Sequence, residues 1–160
     1  MSGYVLYLNS VDKISGNNNN ATYNVNWSAF LPYKVQQYKM TFNFLSNGGQ
    51  YKDNTNFYAS AKIYCDFISS SNSYDSSLGC ISKLIGVVGR DIQSATSSSN
   101  TFSCFYGQNS PKIIKAPTQN VFNVSIYNTA SNTLLTDTTN GGVATADMTP
   151  YILVINFEVI

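Results

Sequence analysis

The ten residues Tyr151-Ile152-Leu153-Val154-Ile155-Asn156-Phe157-Glu158-Val159-Ile160 decide the fold class. The segment is almost wholly apolar, and five of its ten residues are β-branched. Pro150 stands immediately before it. That composition favours a strand over a helix. Side chains alternate along a strand, so Tyr151, Leu153, Ile155, Phe157 and Val159 share one face. Ile152 and Val154 lie on the other, which predicts that both faces are at least partly covered there. A terminal segment stays ordered only when something ties it down, and a strand inside a sheet does so. The expectation is therefore a last strand placed centrally in a sheet.

The same alternation recurs upstream. Tyr4–Leu8, Thr22–Trp27, Gln37–Leu45, Phe57–Ile68, Cys80–Val88, Thr101–Tyr106, Lys112–Lys115 and Val121–Tyr127 read as strands, and Thr133–Thr136 as a short returning one. Within them Trp27, Phe42, Phe44, Phe102 and Phe122 fall at core phase. Pro32 makes a corner of Phe30–Tyr33, and Asn47-Gly48-Gly49 is a turn. Val11–Asn20, Ser69–Ser77, Ser94–Asn100 and Thr138–Thr149 read as polar loops. No amphipathic helix and no repeat stand out. An all-β, antiparallel sandwich or barrel spanning residues 1–160 as one domain follows.

Composition narrows the function classes. The chain of 160 residues has 12 Tyr, 9 Phe and 1 Trp, yet only 11% charged residues and a net charge of +1. Nucleic-acid capture needs clustered Lys and Arg, and Arg90 is the one arginine, so no direct nucleic-acid binding is expected. No segment approaches the roughly 20 apolar residues of a membrane-spanning helix. Met1-Ser2-Gly3-Tyr4 lacks the features of a signal peptide, and synthesis in the cytoplasm is the expectation. The glycosylation-like triplets at Asn20, Asn26 and Asn123 are then accidental.

Catalytic and metal chemistry find little support. With no histidine, Ser-His-Asp and Cys-His systems are excluded. Glu158 is the sole glutamate and reads as a strand residue, not one of a glycosidase pair. Asp53-Asn54-Thr55-Asn56 offers alternating oxygens but no EF-hand glycine or distal glutamate, so a polar turn is favoured over calcium. Gly86-Val87-Val88-Gly89 is followed by no Lys-Ser/Thr pair and is not a phosphate loop. Cys65, Cys80 and Cys104 form no metal motif. They read as free buried thiols, with one disulfide and one free thiol as the alternative. No enzyme, cofactor, catalytic residue or metal ligand is expected. Tyr33, Tyr51, Tyr58 and Tyr74 lie in or beside loops and are the candidates for a protein interface.

Phe122-Asn123-Val124-Ser125-Ile126-Tyr127, a polar turn, Asn132-Thr133-Leu134-Leu135-Thr136-Asp137, a loop and the closing apolar strand together resemble the end of single jelly-roll capsid proteins of double-stranded DNA viruses or virophages. Tyr4–Leu8 and Thr22–Trp27 are similar to that family's opening. The resemblance implies about eight strands in the two sheets of a single jelly roll, fewer than the sequence offers, with Lys112–Lys115 or Thr133–Thr136 as the surplus piece. It implies a structural virion protein, penton-type or minor capsid, forming a pentamer and meeting neighbouring capsid proteins at icosahedral vertices. A carbohydrate-binding or adhesive sandwich, such as a trimeric TNF/C1q-like fibre head, is the alternative reading.

Overall fold

The computed structural model describes residues 3–32, 34–52, 58–76, 80–81, 83–91, 101–104, 109–139 and 143–160. It is an all-β antiparallel structure whose main sheet has ten strands. These are β1 (Gly3–Asn9), β2 (Ser15–Asn17), β3 (Asn20–Asn24), β4 (Gln37–Ser46), β5 (Ser60–Cys65), β6 (Leu84–Asp91), β7 (Thr101–Cys104), β8 (Lys112–Lys115), β9 (Val121–Asn128) and β10 (Tyr151–Val159). Two short ladders add to it: Tyr74–Asp75 with Cys80–Ile81, and Thr138–Thr139 with Val143–Ala144.

The order along the sheet is β1-β10-β4-β7-β6-β5-β9-β3-β2. β8 joins the same edge of β4 that β7 uses, at Gln37–Met40, while β7 takes Phe44 and Leu45. β10 sits between β1 and β4 and pairs with β4 over nine residues, from Tyr151↔Ser46 to Val159↔Tyr38. The central placement of the last strand is thus observed.

Alternation explains the core. Tyr38, Met40, Phe42 and Phe44 of β4, Ala61, Ile63 and Cys65 of β5, Phe122, Val124 and Ile126 of β9, and Tyr151, Leu153, Ile155 and Phe157 of β10 are all buried. An aromatic cluster closes one end. Trp27 stacks on Phe122 at 5.6 Å and lies 5.0 Å from Phe67, and Phe157 meets Trp27 edge-on at 5.9 Å. Such offset and edge-to-face pairs are the favourable ring arrangements. All five predicted core aromatics (Trp27, Phe42, Phe44, Phe102 and Phe122) are buried.

Several boundaries differ from the sequence reading. Trp27 is not in a strand: β3 ends at Asn24, and Trp27–Phe30 is a single helical turn, α1. Asn26 caps it, its Oδ1 accepting from Ala29 N at 3.3 Å. Trp27 Nε1 donates to Gln119 O at 2.8 Å, fixing the ring. Asn26 also stands outside any strand, whereas Asn123 lies in β9. Val11–Asn20 is no plain loop. It holds the end of a 3-10 turn (Ser10–Asp12), β2 and the first residue of β3. The expected Cys80–Val88 strand is two: Cys80–Ile81 pairs with Tyr74–Asp75, inside the expected Ser69–Ser77 loop, and β6 begins at Leu84. Lys112–Lys115 is a strand; Thr133–Thr136 contributes only an isolated bridge, Tyr127↔Leu134. The outer face of β10 is less covered than its apolar residues predict, for Ile152 is 46% exposed.

The Thr138–Thr149 stretch is tied in at its described residues. Asp137 N donates to Asp147 O at 2.8 Å, and Thr145 Oγ1 donates to Asp137 O at 2.7 Å. Asn19, in the run of four asparagines, is buried and donates through Nδ2 to Leu135 O (2.9 Å) and Ala146 O (3.1 Å). An amide group with two donors suits such carbonyl-bridging. Ser94–Asn100 lies outside the described residues.

Candidate functional site

Two outward faces of the sheet carry the features that a partner would meet. The first is built on β5 and β9. Lys62 and Tyr64 occupy the outward phase of β5, and Asn123, Ser125 and Tyr127 that of β9, with Ser125↔Tyr64 and Tyr127↔Lys62 in register. Tyr64 and Tyr127 are therefore diagonal neighbours, a spacing that aromatic side chains can bridge. Their rings meet edge-on, 5.4 Å apart at 85°. A bulge between Ile63 and Tyr64 shifts the register with β6, a device that re-aims a side chain. Together with Asp66, Lys83, Ser125 and Asn132 the two rings line a depression of about 320 Å³. Asn132 sits there because its φ of 55° closes the turn after β9, a conformation asparagine tolerates. Lys83 Nζ stands 3.6 Å from Asp66 Oδ1, an ion pair open to solvent and screened accordingly. Aromatic edges beside hydroxyl, amide, carboxylate and ammonium groups are chemically able to hold a polyhydroxylated ring.

The second face is built on β1, β10 and β4. Val5, Tyr7, Ile152 and Leu45 point outward and are 42%, 71%, 46% and 50% exposed. Register sets them in adjoining rows: Tyr7↔Val154↔Asn43, and Asn9↔Ile152↔Leu45. Further along, Val5, Thr41, Asn43, Asn156 and Glu158 line a depression of about 390 Å³. Glu158 pairs there with its cross-strand partner Lys39 at 3.1 Å, which makes it a strand-face residue.

The loop tyrosines divide. Tyr74 is 69% exposed and available. Tyr51 is not: it is fully buried, its ring 5.0 Å from Phe102 and its hydroxyl bonded to Thr149. The expected interface role for Tyr51 is therefore incorrect, because Phe102 and Thr149, both distant in sequence, cover it. Tyr58 is half-buried against the core. Tyr33 and the Asp53–Asn56 turn lie outside the described residues. Gly86 and Gly89 fall within β6. Cys65 is a free, buried thiol whose pKa burial pushes up. The side chains of Cys80 and Cys104 lie outside the description. Among the described residues no three His, Cys, Asp or Glu side chains stand close enough to share a metal, and no helix is long and apolar enough to cross a membrane. Tyr64, Tyr127, Val5 and Tyr7 were not singled out by sequence. The available signal was tyrosine or valine at the polar phase of an alternating strand.

No family model and no curated protein matches this chain.

Proposed function

We propose that the chain is a single jelly roll, a two-sheet sandwich serving as a structural virion subunit of penton or minor capsid type. In this reading it has no catalytic role, forms rings of five at icosahedral vertices and contacts neighbouring capsid proteins. The observation that carries the reading is a nesting of strand pairs. Setting aside β2 and β7, eight strands remain. The first pairs with the last (β1 with β10), the second with the seventh (β3 with β9), the third with the sixth (β4 with β8) and the fourth with the fifth (β5 with β6). That is one long hairpin. Its rolling brings β10 beside β4 and β9 beside β5. In the jelly-roll reading the strands divide as β1-β10-β4-β8 on one side and β3-β9-β5-β6 on the other, and β7 is the strand that joins β4 to β6 in the continuous sheet. Jelly rolls of this kind are used in viral capsid and lectin domains.

The step from topology to capsid is a fold analogy. It is joined to the likeness of Phe122–Asp137 and the closing strand to capsid proteins. Exposed apolar rows on β1, β10 and β4 supply surface for assembly. The test is native mass spectrometry of the purified protein, with particle imaging. Assemblies in multiples of five subunits are expected; a trimer overturns the ring.

The depression at Tyr64 and Tyr127 favours a second reading, a carbohydrate-binding sandwich. Glycan-array binding lost on Tyr64→Ala and Tyr127→Ala would establish it in place of the capsid role.

A further inference from the structure

We infer that the outer edge of β1 is a strand-addition site whose occupant is β1 of a second copy of this chain, running antiparallel about a twofold axis through Leu6. The inference does not depend on the capsid reading.

β1 ends the sheet, with β10 on one side only. The phase of its hydrogen bonds follows from its neighbours. In an antiparallel ladder successive residues aim their N–H and C=O groups to opposite sides. Asn47 N donates to Pro150 O at 2.8 Å, so Pro150, Ile152, Val154 and the residues in step with them aim at β4. The far side of β4 agrees: Ala116 N donates to Gln36 O at 2.9 Å, which aims Tyr38 and Met40 at β8 and Asn43 and Leu45 at β10. Leu153, Ile155 and Phe157 then aim at β1, where Leu8, Leu6 and Tyr4 answer them. Gly3, Val5 and Tyr7 are left aiming their backbone groups outward. Among the described residues no other backbone group bonds to Gly3, Val5 or Tyr7.

Proteins guard such an edge with charge, proline, a bulge, shortness or a cover. Among the described residues β1 has none of these. Gly3-Tyr4-Val5-Leu6-Tyr7-Leu8-Asn9 is uncharged and free of proline, and its register with β10 is unbroken. The other free edges differ. β2 is three residues long. β8 is covered by residues 71–72, through the Ser71↔Ile114 bridge and the Asn72 N to Ile113 O bond of 3.2 Å. The described edges therefore offer β1 one partner of matching length, another β1.

Pairing about Leu6 fits in every respect that the sequence sets. It places Val5 opposite Tyr7 of the second copy and Tyr7 opposite its Val5. These are the residues whose N–H and C=O groups aim outward. Their side chains fall on one face, an aromatic residue against a β-branched one, which is a favourable cross-strand pair. No like charges meet. Ile152 and Val154 on the adjoining strand extend the same apolar surface across the axis. The contact is isologous and closes a pair, so it is distinct from the heterologous contact that closes a ring.

Amide exchange tests it directly. In the paired state Val5 and Tyr7 should exchange roughly tenfold or more slowly than in diluted protein. Leu6, bonded to β10 in either state, should change little. Val5→Lys/Tyr7→Lys places four lysines at the centre of the contact, on exposed positions that the core does not use. It should abolish the protection and halve the native mass, whether the wild-type particle is a dimer or a pair of rings. Fast exchange at Val5 and Tyr7 at every concentration in folded protein overturns the inference. So does protection that dilution and the double variant leave unchanged, because the cover would then come from another segment.

Discussion

Phe157→Ala tests the packing of the last strand most directly. The ring is fully buried and lies within 5.9–6.2 Å of Trp27, Phe30, Tyr38 and Phe67. Removing a buried Phe side chain costs about 3–5 kcal/mol in transfer and cavity terms. Each aromatic pair adds about 0.5–1.5 kcal/mol beyond area, though partners in one cluster are not additive. The upper part of the range, about 4–5 kcal/mol, is therefore expected. Small domains have a total stability of about 5–15 kcal/mol, so the variant keeps little margin. In urea, with a slope of about 2 kcal/mol per molar, the midpoint should fall by about 2 M. Ile152→Ala is the internal control. It sits on the same strand but faces outward at 46% exposure, and should cost under about 1 kcal/mol. Unfolding followed by circular dichroism and tryptophan fluorescence measures both. If Ile152→Ala costs as much as Phe157→Ala, or Phe157→Ala costs under about 2 kcal/mol, the phase assigned to β10 is wrong.

Three further outcomes are expected. A chain lacking 151–160 should fail to fold, since among the described residues β10 is the strand that joins β1 to β4; a soluble, cooperatively unfolding truncate by calorimetry would refute its central role. Burial pushes Tyr23 up to about 12 and raises Tyr51 and Tyr151, the Tyr23 and Tyr151 hydroxyls lying 3.2 Å apart. The unfolded chain loses these protons near pH 10 while the folded one keeps them. Their stabilisation is therefore complete below about pH 10 and falls above it by about 1.4 kcal/mol per group per pH unit, for Tyr23 through its folded value of about 12. Urea midpoints that stay level from about pH 9 to about pH 11.5 would contradict those burials. Gly86→Ala should cost about 1–3 kcal/mol by overpacking, because a Cβ there meets the Phe42 ring at 2.5 Å and Asn109 Oδ1 at 2.6 Å. A midpoint equal to wild type would show that β6 is not so close to β4.

What could be read from sequence follows the physics of each element. Period-two alternation placed β4, β8, β9 and β10 to within a residue or so, because a strand with one buried face writes its phase into its residue types. Trp27 had the right burial and the wrong element. Its apolar character reports the core, while Asn26 just before it is the N-cap residue type that marks a helical turn. Tyr51 reads as an interface candidate and Asn19 as part of a polar loop because polar neighbours surround them in sequence. Their cover, Thr149 for one and Leu135 with Ala146 for the other, comes from distant segments that local composition does not reveal. The Tyr64–Tyr127 site depends on the register between β5 and β9, which no single strand encodes.

The place of β10 between β1 and β4 also bears on how the molecule comes to exist. During synthesis β1 and β4 emerge long before the strand that separates them. Their facing edges and the apolar faces of Phe42 and Phe44 must wait, unpaired, for the last segment of the sheet. Contacts that span most of the chain carry the largest loop-closure cost, so folding should be slow for a domain of this size. The waiting intermediate exposes the kind of sticky edge that misassembles at high concentration. Production at low temperature, or with a chaperone that shields open strands, should therefore raise the folded yield more than any change at the surface.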